Sequence, residues 1–81
     1  MSLITQGKLQ IMESLGYVVK VIVKEHRPGY IVEIQTKDTS ILTLSKSNNE
    51  VMLFDSADSA LDTLRDVGII NANVELYEHR N

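Results

Sequence analysis

The stretch that decides the fold is "MESLGYVVKVIVKE", residues 12–25. It begins as the end of a helical pattern, has a glycine at position 16, and continues as a β-branched run typical of a strand. Successive residues of a strand point to opposite faces. Strict alternation therefore puts apolar side chains on both faces: Val19, Val21 and Val23 on one, Val18 and Ile22 on the other.

A short helix is predicted before this strand. Leu9, Met12 and Leu15 recur at helical spacing. Ser2 or Thr5 is a candidate N-cap, since a hydroxyl can accept a free N–H of the first turn. Gly16 is expected to end the helix in a left-handed conformation, so that Tyr17 folds back toward Met12.

Three further strands, each preceded by a turn, are predicted next, and a second helix follows them. The predicted strands cover residues 30–36, 40–45 and 51–54, separated by the turns "HRPG", "KDTS" and "KSNNE". Asp55 or Ser56 then caps a second helix, which ends at Gly68. Its buried face is predicted to consist of Ala57, Ala60, Leu61, Leu64 and Val67. A last strand covers residues 72–77, where Tyr77 is its final residue.

The predicted fold is one α+β domain over residues 1–81, in the order α-β-β-β-β-α-β. Short hairpin turns favour a mainly antiparallel sheet, and two amphipathic helices favour a two-layer arrangement with both helices on one face. The other face then carries three apolar side chains that this chain cannot cover. Val18, Ile22 and Ile31 are therefore the predicted interface, and a second copy, forming a homodimer, is the predicted partner. The alternative is that these side chains stay partly exposed to solvent, as scattered apolar side chains do on monomer surfaces.

Composition excludes several classes of site. The 81 residues contain no cysteine, which removes disulfides and thiolate chemistry. His26 and His79 lie outside any metal-ligand spacing, and neither a nucleophile motif nor a glycine-rich phosphate loop occurs. The sequence thus predicts no enzyme, no metal and no cofactor. No signal peptide or membrane span is evident, so a cytoplasmic location without membrane association is expected.

The alternative prediction is a nucleic-acid-associated protein. Lys20, Lys24, His26 and Arg27 form the strongest polar cluster, close to a turn that could contact phosphate. The formal net charge of −3 disfavours that class, since nucleic-acid-binding domains usually carry a basic excess. A solvated hairpin tip is the simpler interpretation.

Two stretches carry a family resemblance: "LGY" at 15–17, and "FDSADSALDTLRDVGI" at 54–69. Together they resemble small accessory proteins of plasmids and integrated mobile elements, some described as partition-associated. The matching positions are Phe54, Ser56, Ala60, Leu64, Gly68 and Ile69. These are caps and core positions, so no functional residue is carried over. The resemblance implies a non-enzymatic accessory role, which agrees with a protein-interaction module.

Overall fold

The computed structural model describes residues 2–76; Tyr77 and His79, named in the sequence analysis, lie outside that range. Five strands and two helices follow one another along the chain. Their bounds are β1 (Ser2–Thr5), α1 (Gln6–Ser14), β2 (Val18–His26), β3 (Gly29–Thr36), β4 (Ile41–Ser45), α2 (Ala57–Asp66) and β5 (Asn73–Glu75).

The strands form one mixed sheet in the order β1-β4-β3-β2-β5. The expected antiparallel meander is its centre, where β3 lies between β2 and β4. Parallel pairing adds β1 to β4 at one edge and β5 to β2 at the other. The α+β class and the order α-β-β-β-β-α-β are confirmed. The 51–54 segment takes the form of isolated bridges at Val51 and Phe54, while Ser2–Thr5 contributes an additional strand.

The helices begin and end at the residues that the sequence indicated. The side chain of Thr5 accepts a hydrogen bond from the Lys8 N–H, and that of Ser56 accepts one from the Ser59 N–H. Gly16 and Gly68 both have positive φ, at 71° and 91°. Such a conformation suits glycine because it has no Cβ to clash.

The two helix ends have the same hydrogen-bond pattern. The N–H of Tyr17 donates to the Met12 carbonyl, and that of Ile69 donates to the Leu64 carbonyl. Each donor directly follows the glycine and each acceptor lies five residues before the donor, as in a Schellman motif. Each cap leads the chain into a strand, β2 after α1 and β5 after α2, and these two strands pair in parallel. Both helices therefore end at the same end of the sheet.

One hydrophobic core joins the helices to one face of the sheet. Leu9 from α1 and Leu64 from α2 belong to the same buried cluster as the inward side chains of the strands. The strand residues of this cluster are Ile4, Val21, Val23, Val32, Ile34 and Leu44. We call this side of the sheet the core face and the opposite side the outer face.

Two tight connections hold the ends of β3. Tyr30 and Phe54 exchange two backbone hydrogen bonds of 2.8 Å, which bring the 51–54 segment against the start of β3. At the other end, Asp38 accepts hydrogen bonds from the Thr36 hydroxyl and the Ser40 N–H in the β3–β4 turn. The Thr36 hydrogen bond, with a smaller contribution from Ser40, lowers the pKa of the Asp38 carboxyl from its ordinary value of 3.8.

Among residues 2–76, no helix has the length and apolar character needed to cross a membrane.

Candidate binding surfaces

A β-bulge at the start of β2 decides which valines face outward. Val18 pairs with Thr36, but Lys20 already pairs with Gln35, so two residues of β2 oppose one step of β3 and Val19 is the extra residue. Val18 consequently lies on the core face, where it packs against the core cluster. Val19 is 60% exposed.

This bulge corrects the predicted interface of Val18, Ile22 and Ile31. The prediction that Val18 shares a face with Ile22 is wrong, because alternation is interrupted between the two residues. Ile22, opposite Glu33, and Ile31, opposite Lys24, do lie together on the outer face. Ile31 is only 8% exposed, however, and Ile22 is half-buried. The outer face thus offers a smaller apolar surface than the sequence indicated.

The basic residues of the alternative prediction are spread along one hairpin. Lys20 and Lys24 are exposed on the outer face of β2, and His26 and Arg27 are exposed at the β2–β3 turn. Two of these cations have carboxylate neighbours. The Lys24 Nζ lies 4.0 Å from Glu33 Oε1, and the Arg27 Nε lies 3.8 Å from Glu25 Oε2.

These ion pairs reduce the positive potential of the hairpin. Exposed pairs contribute little to stability, but each carboxylate offsets the field of the cation beside it. A phosphate backbone would have to compete with Glu25 and Glu33 for the same side chains. The structure therefore does not strengthen the case for this hairpin as a nucleic-acid site.

A different apolar surface lies at the end of the molecule where both helices stop. Its residues are the exposed apolar side chains around the two glycine caps: Leu15, Tyr17, Val19 and Ile70. We call this surface the apolar end. Ile70 is 87% exposed, Leu15 is 73% exposed and Val19 is 60% exposed.

Val19 and Ile70 meet at the apolar end. Both line one shallow pocket of about 170 Å³, together with Glu13 and Lys20. Ile70 follows the α2 cap, and the bulge turns Val19 toward the same pocket instead of into the core. The pocket thus combines two exposed aliphatic side chains with one acidic and one basic residue at its margin.

Sequence reasoning missed the apolar end for a definable reason. Alternation placed Val19 on the same face as Val21 and Val23, and no sequence pattern singled out Ile70. The doublet of Val18 and Val19 was the available signal, because two adjacent apolar residues at the start of an alternating strand are what a bulge produces. The exposure of Ile70 has no signal in the sequence.

The other side chains were compared with the requirements of a metal site. Within the described range 2–76, no three His, Asp or Glu residues are grouped so that they could hold a metal ion. Comparison with protein-family models, with curated proteins and with solved structures finds no match to this chain.

Proposed function

We propose that the protein is a non-enzymatic interaction module that forms a homodimer through the apolar end. The observation that carries the proposal is the exposure of Ile70 in the same pocket as Val19, with Leu15 also exposed two residues after Glu13 of that pocket. The chain is small enough to need its aliphatic side chains for its own core. Grouped apolar side chains on a protein surface mark contact sites more often than isolated ones.

The charges around the pocket support a second copy as the partner. A two-fold axis brings the same surface of each copy together, so each residue must find its complement on the same patch. Glu13 and Lys20 line the same pocket as Val19 and Ile70. An axis through the pocket can pair Glu13 of one copy with Lys20 of the other, around the aliphatic centre.

The energies allow a dimer of moderate affinity. Complete burial of a Leu, Ile or Val side chain is worth about 1.5–3 kcal/mol. Three such side chains from each copy give roughly 9–18 kcal/mol, a range that overlaps the association cost of about 4–15 kcal/mol and extends above it. We expect a dissociation constant on the order of micromolar.

The accessory role belongs to the same proposal. The resemblance to small proteins of plasmids and integrated mobile elements supports a cytoplasmic accessory protein whose function is to bind. A dimer would present two copies of every other surface, which increases the effective concentration for any partner that contacts both.

Sedimentation velocity of single variants tests the dimer. We expect the unaltered protein to sediment as a dimer above about 10 µM, and Val19→Lys and Ile70→Lys to sediment as monomers, because each buries a charge at the contact. Leu53→Lys is the matched control, since Leu53 is 46% exposed and lies next to Gly29, at the opposite end of the β2–β3 hairpin from Val19. It should remain dimeric.

Ile22→Glu distinguishes the outer face from the apolar end. If the outer face is the contact, this variant becomes monomeric while Val19→Lys remains a dimer, and the apolar end is then excluded. A monomer for the unaltered chain up to about 1 mM would remove the proposed self-association altogether.

A further inference from the structure

A second apolar surface lies at the opposite edge of the sheet, where α1 crosses β1. A groove of about 350 Å³ opens between them, and we call it the α1 groove. It is lined by Leu3, Ile4, Lys8, Ile11, Met12 and Leu42. Five of these six side chains are apolar, and Ile11 is 60% exposed. The groove is wide enough for one or two apolar side chains.

The strand beside the groove has a free edge. β1 is the terminal strand in the sheet order, and within residues 2–76 it pairs only with β4. The backbone N–H and C=O groups of a strand point alternately to its two neighbours. On the side of β1 away from β4, these groups are therefore available to pair with a further strand. An extended peptide can therefore dock by backbone pairing, and its alternate side chains would reach the groove.

The charge at the groove selects the kind of peptide. Lys8 is the one charged side chain among those lining the groove, and it is exposed. It lies in the first turn of α1, which contains no acidic residue. The partial positive charge of the helix N-terminus and the ammonium group therefore have the same sign, and both favour a carboxylate.

We propose that the α1 groove and the edge of β1 together bind an extended peptide segment of a partner protein. Its backbone pairs with β1, its apolar side chains enter the groove, and an Asp or Glu side chain or a terminal carboxylate lies against Lys8. This site is separate from the apolar end, so the proposal stands whether or not the protein dimerises.

Selection from a phage-displayed library of random decapeptides, with the 81-residue protein as bait, tests the proposal. We expect enriched sequences that alternate apolar and other residues and include an acidic residue. Synthetic forms of these peptides should shift the amide resonances of β1 and of the first turn of α1. Lys8→Glu and Ile11→Glu should each weaken binding at least tenfold, because both residues line the groove.

Leu53→Glu is the matched control, because Leu53 is 46% exposed and lines neither the groove nor the pocket at the apolar end. It should leave peptide affinity unchanged, and thermal melts should show that all three variants remain folded. N-methylation of alternate peptide nitrogens should abolish binding if the backbone pairs with β1.

Several results would overturn the proposal. These are no enrichment, enrichment of basic sequences, or binding that survives both Lys8→Glu and Ile11→Glu. Displacement of the selected peptides by decanoate at equal or lower concentration would identify the groove as a site for amphiphilic acids instead. Displacement by a synthetic peptide of residues 71–76 would identify a second copy as the occupant. Loss of dimerisation in the sedimentation experiment would affect none of these results.

Discussion

Of the four glycines, Gly29 at the start of β3 is the one where an added Cβ would meet other atoms within 4 Å. A Cβ at this residue would lie 2.2 Å from the backbone carbonyl oxygen of Phe54 and 3.3 Å from the Leu53 Cγ. The first distance is far inside van der Waals contact, and the atom concerned belongs to the backbone. It cannot move aside without breaking the hydrogen bonds between Tyr30 and Phe54.

We therefore expect Gly29→Ala to destabilise the protein by about 1–3 kcal/mol or more. Gly7→Ala is the control, since no atom lies within 4 Å of a Cβ at Gly7 in α1. It should stabilise the protein by about 0.5–1 kcal/mol, because alanine loses less backbone entropy in a helix. Urea denaturation of both variants gives the comparison. Equal midpoints would contradict the close approach.

The sequence predicts residues whose role is local and misses those whose role depends on a distant neighbour. Thr5, Ser56, Gly16 and Gly68 act within one turn of helix, so cap rules located them. Gly29 was assigned to a turn for its flexibility. Its contact with Phe54 requires a segment that returns from beyond β4, and no local pattern contains that information.

At the scale of an element, the bulge in β2 has a direct mutational test. Val18→Ala should cost about 1–2 kcal/mol, because Val18 packs against the core cluster. Val19→Ala should change the free energy of unfolding by less than about 0.5 kcal/mol, as is usual for an exposed position. A strictly alternating strand predicts the reverse order. Chemical denaturation of the two variants decides between them, and a larger loss for Val19→Ala would mean that the bulge is absent.

The sequence pattern predicted some features of β2 and missed others. The existence of β2, its end near the β2–β3 turn and the inward position of Val21 and Val23 all follow from composition and period. The bulge could not be predicted in this way. One extra residue reverses the face of the sheet to which the preceding side chains of β2 point. The predicted interface depended on that facing at Val18, and for this reason the proposed contact is the apolar end instead of the outer face.

For the whole molecule, the sheet order predicts a gradient of stability. β3 is paired on both sides and contributes Val32 and Ile34 to the core. β5 has three exposed residues and, among residues 2–76, pairs with β2 alone. We expect native-state hydrogen exchange to be slowest in β3 and at least on the order of 100-fold faster in β5. Equal protection in β5 at low protein concentration would contradict this gradient.

The sequence predicted the strand pairings that short turns connect, and it did not predict the pairings across longer connections. The antiparallel centre follows from hairpin turns that a sequence displays. At each parallel edge, the two paired strands are separated in the sequence by at least one helix. In addition, β1 is only four residues long and directly precedes α1. Such long-range pairing is decided by the folded molecule and leaves little trace in a single short segment.

The parallel edges also determine how the molecule would respond to mechanical force. β1 and β5 run in the same direction at opposite margins of the sheet. Tension applied between Ser2 and Leu76 would therefore pull along the strand axes and load the backbone hydrogen bonds of each pairing together, as a shear. The bonds would have to fail as a group instead of one after another, which makes the fold resistant to extension for its size.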